Sequence, residues 1–183
     1  RAFKALQKAH TQQREVTFAY KKPDSAAAEI RHVRPYHLTH RENLWYLVGH
    51  DVDRAAIRTF ALPRMSEVKI ARKKFTLPGD FSPDAFFASA LGVVAGSGSF
   101  DIHLRFDASI AERVSERIWH ESQQVTTRSD GSIDLHLQLG SLIEIERWVL
   151  GWGAHAEVLA PPELRLQLAH STTAMADRYA NLL

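Results

Sequence analysis

A Gly-Ser-Gly-Ser stretch at residues 96–99 divides the sequence into two segments that differ in their patterns of apolar residues. Such a composition is typical of a flexible connector, because glycine and serine restrict the backbone little and offer little apolar surface to bury. The chain has 183 residues, a length that suits one large domain or two small ones. We therefore place a domain boundary at this stretch and interpret the two segments separately.

The first segment holds short apolar and β-branched runs that are separated by turn residues. Residues 1–12 place Phe3, Leu6 and Ala9 at helical spacing and predict a linker helix. Residues 13–75 hold five predicted strands, at 15–20, 29–38, 43–49, 56–62 and 66–72. Five short strands with tight turns predict a small barrel, of either the SH3-like or the OB-like type. Residues 76–99 are expected to form a connecting helix, which begins at Ser82 and Pro83, followed by the flexible linker.

The second segment, residues 100–183, has the order strand, helix, strand, strand, helix, strand, and ends in a further helix. Its clearest strand covers residues 132–139, where Ile, Leu, Leu and Leu alternate with polar residues. The first helix is expected to bury Ile110, Val114 and Ile118, and Ser141 with Glu144 predicts a capping box at the start of the second. This order is that of the ferredoxin-like βαββαβ module, so the predicted fold class is α+β.

The C-terminal helix carries one stripe of mostly apolar residues, whose members are Leu164, Leu168, Thr172, Met175, Tyr179 and Leu182. A stripe of this kind buries itself against another surface. That surface is either the sheet of the same chain or a second copy of the chain.

The formal net charge of +2 hides a strong asymmetry. Residues 1–75 hold 16 Lys and Arg against 7 Asp and Glu, a net charge of +9, whereas residues 76–183 hold 7 against 14, a net charge of −7. The basic part is the candidate for binding an anionic ligand or nucleic acid. The alternative is that the two parts have differently charged solvated surfaces and no such ligand.

Several classes of protein are excluded or disfavoured by composition. The chain has no Cys, which excludes a disulfide framework, thiolate zinc sites and Cys nucleophiles, and which fits a cytoplasmic location. The apolar runs are too short for a membrane helix, and no signal peptide is visible. The spacing of His32, His37 and His40 does not make them neighbours on a strand face, so we expect no metal site. Neither a nucleophile elbow nor a phosphate-binding glycine fingerprint is present, and we predict no enzyme activity and no cofactor.

Four ordered blocks in the first segment carry a family resemblance: TFAY, RHVRPYHL, NLWYLVGHD and IRTFALPRM. Together they resemble the WYL domain of bacterial transcriptional regulators. The second segment resembles the C-terminal extension of these proteins, called WCX. It does so through RIWHESQQV at 117–125, the Asp-Gly turn at 130–131, RWVLGWGAHAEVLAPPELR at 147–165, and Tyr179.

The resemblance implies a ligand-sensing transcriptional regulator whose WYL domain is an SH3-like (Sm-like) barrel that binds nucleotide or single-stranded nucleic acid. Such proteins usually begin with a helix-turn-helix domain, and none is present in this sequence. The first helix resembles the linker that would follow one, so we expect the sequence to be part of a longer chain. Duplex DNA would then be bound only through the missing domain. The full-length protein is expected to be a homodimer without membrane contact.

The resemblance places Arg58 and Arg64 in the basic ligand pocket, and a forked guanidinium suits phosphate. If the strand continues through IRTFALPRM, residues 58, 60, 62 and 64 share one face. The family often has Asp before the second Arg, whereas this chain has Pro63, so the orientation of Arg64 is in question. Surface ion pairing is the alternative role of both arginines.

Four further residues complete the predicted ligand set: Tyr46, His37, Tyr20 and Arg34. Tyr46 is expected to line the pocket and its neighbour Trp45 to pack in the core, because adjacent strand residues point to opposite faces. His37 and Arg34 lie in a basic, aromatic strand in which Pro35 predicts an edge or a bulge. An exposed basic edge strand without ligand contact is the alternative interpretation of this strand.

Two functions therefore compete. The first is a sensor module that binds an anionic effector through the basic barrel. The second is a protein-interaction or dimerisation module with no small ligand, in which the acidic extension pairs with a basic surface.

Overall fold

The structure is a computed structural model that describes residues 2–23, 25–94, 96 and 98–180. The described part is a mixed α/β protein with two antiparallel sheets and five α-helices. The chain separates into two compact units, Arg1–Pro83 and Asp84–Leu183, whereas the sequence placed the boundary at residues 96–99. Three of the four residues of the predicted flexible connector are described, and Ser97 lies outside the described residues.

The first unit consists of one helix and a five-stranded sheet in the order β4-β3-β2-β1-β5, in which all neighbouring strands are antiparallel. Its elements are α1 (Ala2–Thr11), β1 (Arg14–Tyr20), β2 (Glu29–Arg41), β3 (Leu44–Asp51), β4 (Ala56–Ala61), a 3-10 turn (Leu62–Arg64) and β5 (Met65–Lys74). The five predicted strands are therefore present.

Helix α1 is part of the core of the first unit. Leu6 and Ala9 are completely buried and belong to the same apolar cluster as Phe18 and Leu47. Full burial of a leucine side chain contributes about 1.5–3 kcal/mol. The predicted linker helix is thus fixed to the sheet by its apolar stripe.

The sheet of the first unit is strongly curled. In a flat sheet β4 and β1 would lie about 14 Å apart, since three strand spacings separate them. Nevertheless the ring centroid of Phe60 on β4 lies 5.3 Å from that of Phe18 and 5.2 Å from that of Tyr20, both on β1. No ladder between β4 and β5 closes the sheet within the described residues, so a closed SH3-like barrel stays a prediction.

Strand β2 runs through Pro35, and its register against β3 shifts between Pro35 and His37. The strand is internal, paired with β1 on one side and β3 on the other. Proline cannot donate a ladder hydrogen bond, which explains the irregularity. Of the two possibilities that the sequence left open for Pro35, the bulge is confirmed.

The second unit contains a four-stranded antiparallel sheet in the order β7-β8-β6-β9. The elements from the unit boundary onward are α2 (Pro83–Phe87), β6 (Phe100–Phe106), α3 (Ala111–Ser115), β7 (Gln124–Thr127), β8 (Ile133–Leu139), α4 (Ile143–Leu150), a 3-10 turn (Gly153–His155), β9 (Ala156–Ala160) and α5 (Pro162–Tyr179). From β6 to β9 the order is the predicted strand, helix, strand, strand, helix, strand. The four apolar residues of β8 are all buried, as its alternation predicted.

Helix α3 is shorter than the sequence predicted. It ends at Ser115, and Ile118 is 84% exposed rather than buried. The chain leaves the helix because the indole of Trp119 donates a hydrogen bond to the carbonyl of Val114, 2.8 Å away. Its ring packs edge-on against Trp148, with 5.0 Å between the centroids. Aromatic packing therefore overrides the helical periodicity here.

The capping box predicted at α4 is not formed. The carboxylate of Glu144 instead accepts backbone N–H bonds from Gly92, Val93 and Val94, at 2.9, 2.6 and 2.9 Å. Ser141 accepts only a long bond of 3.3 Å from the amide of Ile143. A carboxylate that accepts three amide N–H bonds is strongly held, and this explains why residues 92–94 belong to the second unit.

Candidate functional site

The two arginines of the predicted pocket are both exposed, but they lie on different elements. Arg58 lies on β4 opposite Gly49, and Arg64 lies in the 3-10 turn that follows the strand. Strand β4 ends at Ala61, so the continued strand on which Arg58 and Arg64 would share one face is not formed. Pro63, which has a fixed φ and no N–H, favours a turn over a continued strand.

The strand register assigns the predicted ligand residues to both faces of the sheet. His37 pairs with Val48 and Thr39 pairs with Tyr46, so His37 and Tyr46 are diagonal neighbours on one face. Arg34, which pairs with His50, lies on that same face. Arg58 shares a face with the buried Phe60, two residues further along β4, and this is the face opposite to that of Tyr46. The structure therefore brings Arg34, His37 and Tyr46 to one face.

Tyr20 belongs to the core face and is only 8% exposed. Its hydroxyl oxygen accepts a hydrogen bond of 3.2 Å from the backbone N–H of Ala61. This bond ties the end of β1 to the end of β4. Tyr20 therefore helps to hold the curled sheet together. A ligand contact of Tyr20 stays a prediction.

Arg34 and Trp45 have structural contacts of their own. The Nε of Arg34 donates to the carboxylate of Glu15 at 3.1 Å, and Lys73 lies 3.4 Å from the same carboxylate. Trp45 packs against Phe3 of α1, with 4.6 Å between the ring centroids, but it remains 41% exposed. The expectation that Trp45 is a core residue is therefore only half right.

A buried ion pair was not expected from the sequence. Arg31 and Asp51 are 4% and 0% exposed, and one guanidinium N–H of Arg31 donates to Asp51 Oδ2 at 3.3 Å. Arg31 also pairs with Glu29. Arg31 Nε and Asp51 Oδ1 are buried without a hydrogen-bond partner among the described residues. The register places Arg31 opposite Phe18 on the core face.

A shallow, open groove of about 510 Å³ lies where the end of β1 meets the 3-10 turn. Three cationic side chains line it, those of Lys21, Lys22 and Arg64, and all three are exposed. The ligand residues predicted from the sequence did not include the two lysines. Two adjacent lysines directly after a strand, in the basic half of the chain, were the feature that could have drawn attention to them.

The second unit has a polar cluster on the outer face of its sheet. Arg105 donates two hydrogen bonds to the carboxylate of Asp134, at 2.8 and 3.1 Å. His103 lies 3.5 Å from the same carboxylate and stacks on His136, with 4.0 Å between the ring centroids. The hydrogen bonds from Arg105 lower the pKa of Asp134 to about 2. Asp134 therefore stays ionised at physiological pH, and Arg128 lies 3.5 Å from it as a second guanidinium partner.

The described residues contain neither a metal-binding cluster nor a membrane-spanning helix. Within these residues, no group of three or more His, Asp or Glu side chains is arranged to hold a metal ion. In the same part of the chain, no helix is both long and apolar enough to cross a membrane.

Comparison with known protein families identifies both units. The WYL domain model matches residues 1–70, and the WCX domain model matches residues 99–176. The matched segments follow one another in the order that the sequence blocks indicated.

Two named relatives come from mycobacteria. Over 164 residues the chain is 30% identical to Protein PafB of Mycobacterium leprae, and the match covers 82% of this chain and 45% of that protein. Over 170 residues it is also 30% identical to Protein PafB of Mycobacterium tuberculosis, with the same coverage. The chain thus spans about half the length of the curated relatives that it matches.

Two solved structures are similar to the chain. The proteasome accessory factor B/C (PafBC) of Arthrobacter aurescens matches with a TM-score of 0.46 at 24% identity, over 96% of this chain and 27% of that one. A CRISPR Cas-related protein matches with a TM-score of 0.62 at 14% identity, over 98% of this chain and 51% of that one. The second likeness shows a shared fold.

Proposed function

Because the chain contains a WYL domain followed by a WCX domain, we propose that it is the effector-sensing region of a transcriptional regulator. The effector is an anion, either a nucleotide or single-stranded nucleic acid, and it binds the basic WYL domain. The rest of the regulator, including a helix-turn-helix domain that contacts duplex DNA, lies outside the sequence considered.

One observation carries the proposal. Arg58 and Arg64 are exposed, and no described carboxylate forms an ion pair with either of them. They belong to a segment, residues 1–75, that holds 16 Lys and Arg against 7 Asp and Glu. Exposed guanidinium groups without local partners keep their donors available for phosphate oxygens.

The face that carries Arg34, His37 and Tyr46 offers a second type of contact. A tyrosine ring can stack on a base, while a cationic groove follows the phosphate backbone. We assign Tyr46 and His37 to base or sugar contacts, and Arg58 and Arg64 to phosphate. Because Arg58 lies on the other face of the sheet and Arg64 in the turn after β4, the effector would reach around a sheet edge or an end of a closed SH3-like barrel.

The sensing mechanism requires a difference in affinity between two states of the regulator. A ligand can shift a conformational equilibrium only by as much as its affinities for the two states differ. Ligand binding to the WYL domain would therefore favour one state of the full-length protein over another. The proposal includes no catalytic step and no cofactor, and it places the regulator in the cytoplasm.

Charge reversal tests the proposal directly. Binding of a fluorescent single-stranded oligonucleotide would be measured by anisotropy at low salt, for the wild type and for the Arg58→Glu and Arg64→Glu variants. Lys69→Glu is the matched control, because Lys69 is also exposed, lies in the same unit and has no described ion pair. The proposal expects strong loss of binding for the two arginine variants and a smaller loss for the control. Unchanged binding in both arginine variants would contradict it.

A dimerisation function is the second candidate, and helix α5 favours it. Leu164 is buried and Leu168 is partly buried, whereas Met175 and Tyr179 are 48% and 62% exposed. The apolar stripe therefore packs within the chain only at its start; Leu182 lies outside the described residues. Light scattering would compare the wild type with a Met175→Glu/Tyr179→Glu variant. A dimer that the variant converts to a monomer would support this function, and a monomeric wild type would count against it.

A further inference from the structure

We propose that Lys21, Lys22 and Arg64 form a subsite for the phosphate groups of a single-stranded nucleic-acid backbone. The inference rests on the proposed function, since it names where that anionic effector is held. It adds two lysines to which neither the sequence blocks nor the comparisons assign a role.

Backbone pairing fixes the spacing of these three cations. The backbone N–H of Lys21 donates to the carbonyl oxygen of Arg64 at 3.1 Å. Directly before this bond, Tyr20 of β1 pairs with Met65 of β5 in the sheet. The end of β1 and the 3-10 turn are therefore held side by side, and their side chains line one groove of about 510 Å³.

Among the described residues, no carboxylate neutralises the charge of the groove. The described lining of the groove contains no carboxylate, and none of its three cations has an ion pair within the described part of the chain. Glu67 on β5 is close in sequence, but it is not part of the lining and has a φ of 53° at an irregularity in the β1–β5 pairing. Asp24 lies outside the described residues. Three like charges that converge with no described counterion attract a polyanion.

The walls of the groove are stiff and its shape is open. Pro23 and Pro63 line it, and the fixed φ of proline reduces the backbone freedom that is lost when a ligand binds. Met65 contributes an apolar surface and Ser66 a hydroxyl group. An open groove with two flexible ammonium groups and one forked guanidinium suits an extended backbone with successive phosphates.

The test uses the whole chain and a fluorescein-labelled ten-residue oligothymidylate. Affinity would be measured at several salt concentrations for the wild type, for Lys21→Gln/Lys22→Gln, and for Lys69→Gln/Lys74→Gln. The last variant is the matched control, because it removes two exposed lysines of the same unit that do not line the groove. Thermal unfolding of both variants would establish that each is folded.

Counterion release sets the expected size of the effect. Each phosphate contact to a single strand changes the slope of log affinity against log salt by about 0.7, which is roughly a 5-fold change in affinity in 0.1 M salt. We expect Lys21→Gln/Lys22→Gln to lose up to two such contacts, a weakening of roughly 25-fold with a slope that is shallower by about 1.4. The control should retain most of its affinity. Equal losses in the two variants would overturn the subsite, since they would report net charge alone.

Two ligand controls identify the group that is bound. A methylphosphonate oligonucleotide has an uncharged backbone, so its binding should not respond to the Lys21→Gln/Lys22→Gln change. If the substitution weakened binding of the methylphosphonate oligonucleotide as much as binding of the unmodified one, the assignment to phosphate would be wrong. Inorganic pyrophosphate at matched ionic strength should compete poorly with the oligonucleotide. If pyrophosphate bound as tightly as the oligonucleotide, the groove would be a site for terminal phosphates and the backbone assignment would be wrong.

Failure of the inference can be distinguished from failure of the proposed function. If Arg58→Glu abolishes oligonucleotide binding and Lys21→Gln/Lys22→Gln leaves it unchanged, the subsite is wrong and the proposed function stands. If the wild type binds neither oligonucleotide nor nucleotide at low salt, both are wrong.

Discussion

The backbone N–H of Lys21 donates a hydrogen bond to the carbonyl oxygen of Arg64, with 3.1 Å between the two atoms. This bond joins the end of β1 to the 3-10 turn after β4. It places the side chains of both residues in one groove although they are far apart in sequence. Backbone pairing at the end of the curled sheet, and not the alternation along a single strand, therefore determines which cations meet.

The first prediction concerns the buried ion pair between Arg31 and Asp51. We expect Asp51→Ala to lower the free energy of unfolding by about 3 kcal/mol, because it removes a partner from a guanidinium that stays buried. Asp53→Ala is the control: Asp53 pairs with His32 at the surface, and its removal should change stability by less than about 1 kcal/mol. Urea unfolding monitored by fluorescence measures both. Equal effects of the two substitutions would contradict the importance of the buried pair.

Removing both members of this ion pair should have a different effect on stability from removing Asp51 alone. Replacing both members, as in Arg31→Met/Asp51→Leu, removes the two buried charges together; Glu29, which also loses Arg31, is half exposed to solvent. Such double replacements are often neutral or stabilising. The double variant should therefore be more stable than Asp51→Ala.

A second prediction concerns Gly49 on β3. A Cβ at this position would lie 2.5 Å from Val33 Cγ1 and 2.6 Å from the carbonyl oxygen of Arg34. The backbone of β2 cannot withdraw without disturbing its pairing with β3, so Gly49→Ala should destabilise the protein by about 2 kcal/mol. Gly79→Ala is the matched control, since nothing lies within 4 Å of the corresponding Cβ. Thermal and urea unfolding of the two variants would reveal the difference, and similar stabilities would refute the close approach at Gly49.

A third prediction concerns the pH dependence of stability in the second unit. Hydrogen bonds from Arg105 lower the pKa of Asp134 from 3.8 to about 2 in the folded protein. A carboxyl group whose folded pKa is lowered stabilises the protein above its unfolded pKa, and this contribution is lost as the pH falls through the folded pKa. The stability advantage of the wild type over Asp134→Asn should thus be present at pH 5, with a size of about 1 kcal/mol, and shrink between pH 4 and pH 2. An advantage that does not change over this range would be inconsistent with the lowered pKa.

Much of the fold follows from local sequence patterns. The alternation in β8 and the turn residues between the strands of the first unit predicted elements that the structure contains. These patterns sufficed because each strand buries one face, so its own periodicity reports its environment. Helix α3 was predicted to be too long, since the contact between Trp119 and Trp148 joins residues that are distant in sequence.

The candidate site was less accessible to sequence reasoning. Arg58 and Arg64 are exposed, and their ligand role stays a prediction; a common face for them required a continued strand, which Pro63 replaces with a turn. The burial of Arg31 follows from its register opposite Phe18, and register between strands cannot be read from one strand alone. Lys21 and Lys22 gain significance only from the pairing that brings them to Arg64.

The salt dependence of single-strand binding by the wild-type chain tests the central claim most directly. Anisotropy titrations of a labelled oligothymidylate between about 50 and 300 mM salt would give the slope of log affinity against log salt. With three or more cations on phosphates, the account predicts measurable binding at low salt and a slope of about −2 or steeper. Absence of binding at low salt, or an affinity that does not change with salt, would contradict an anionic effector held by the basic WYL domain.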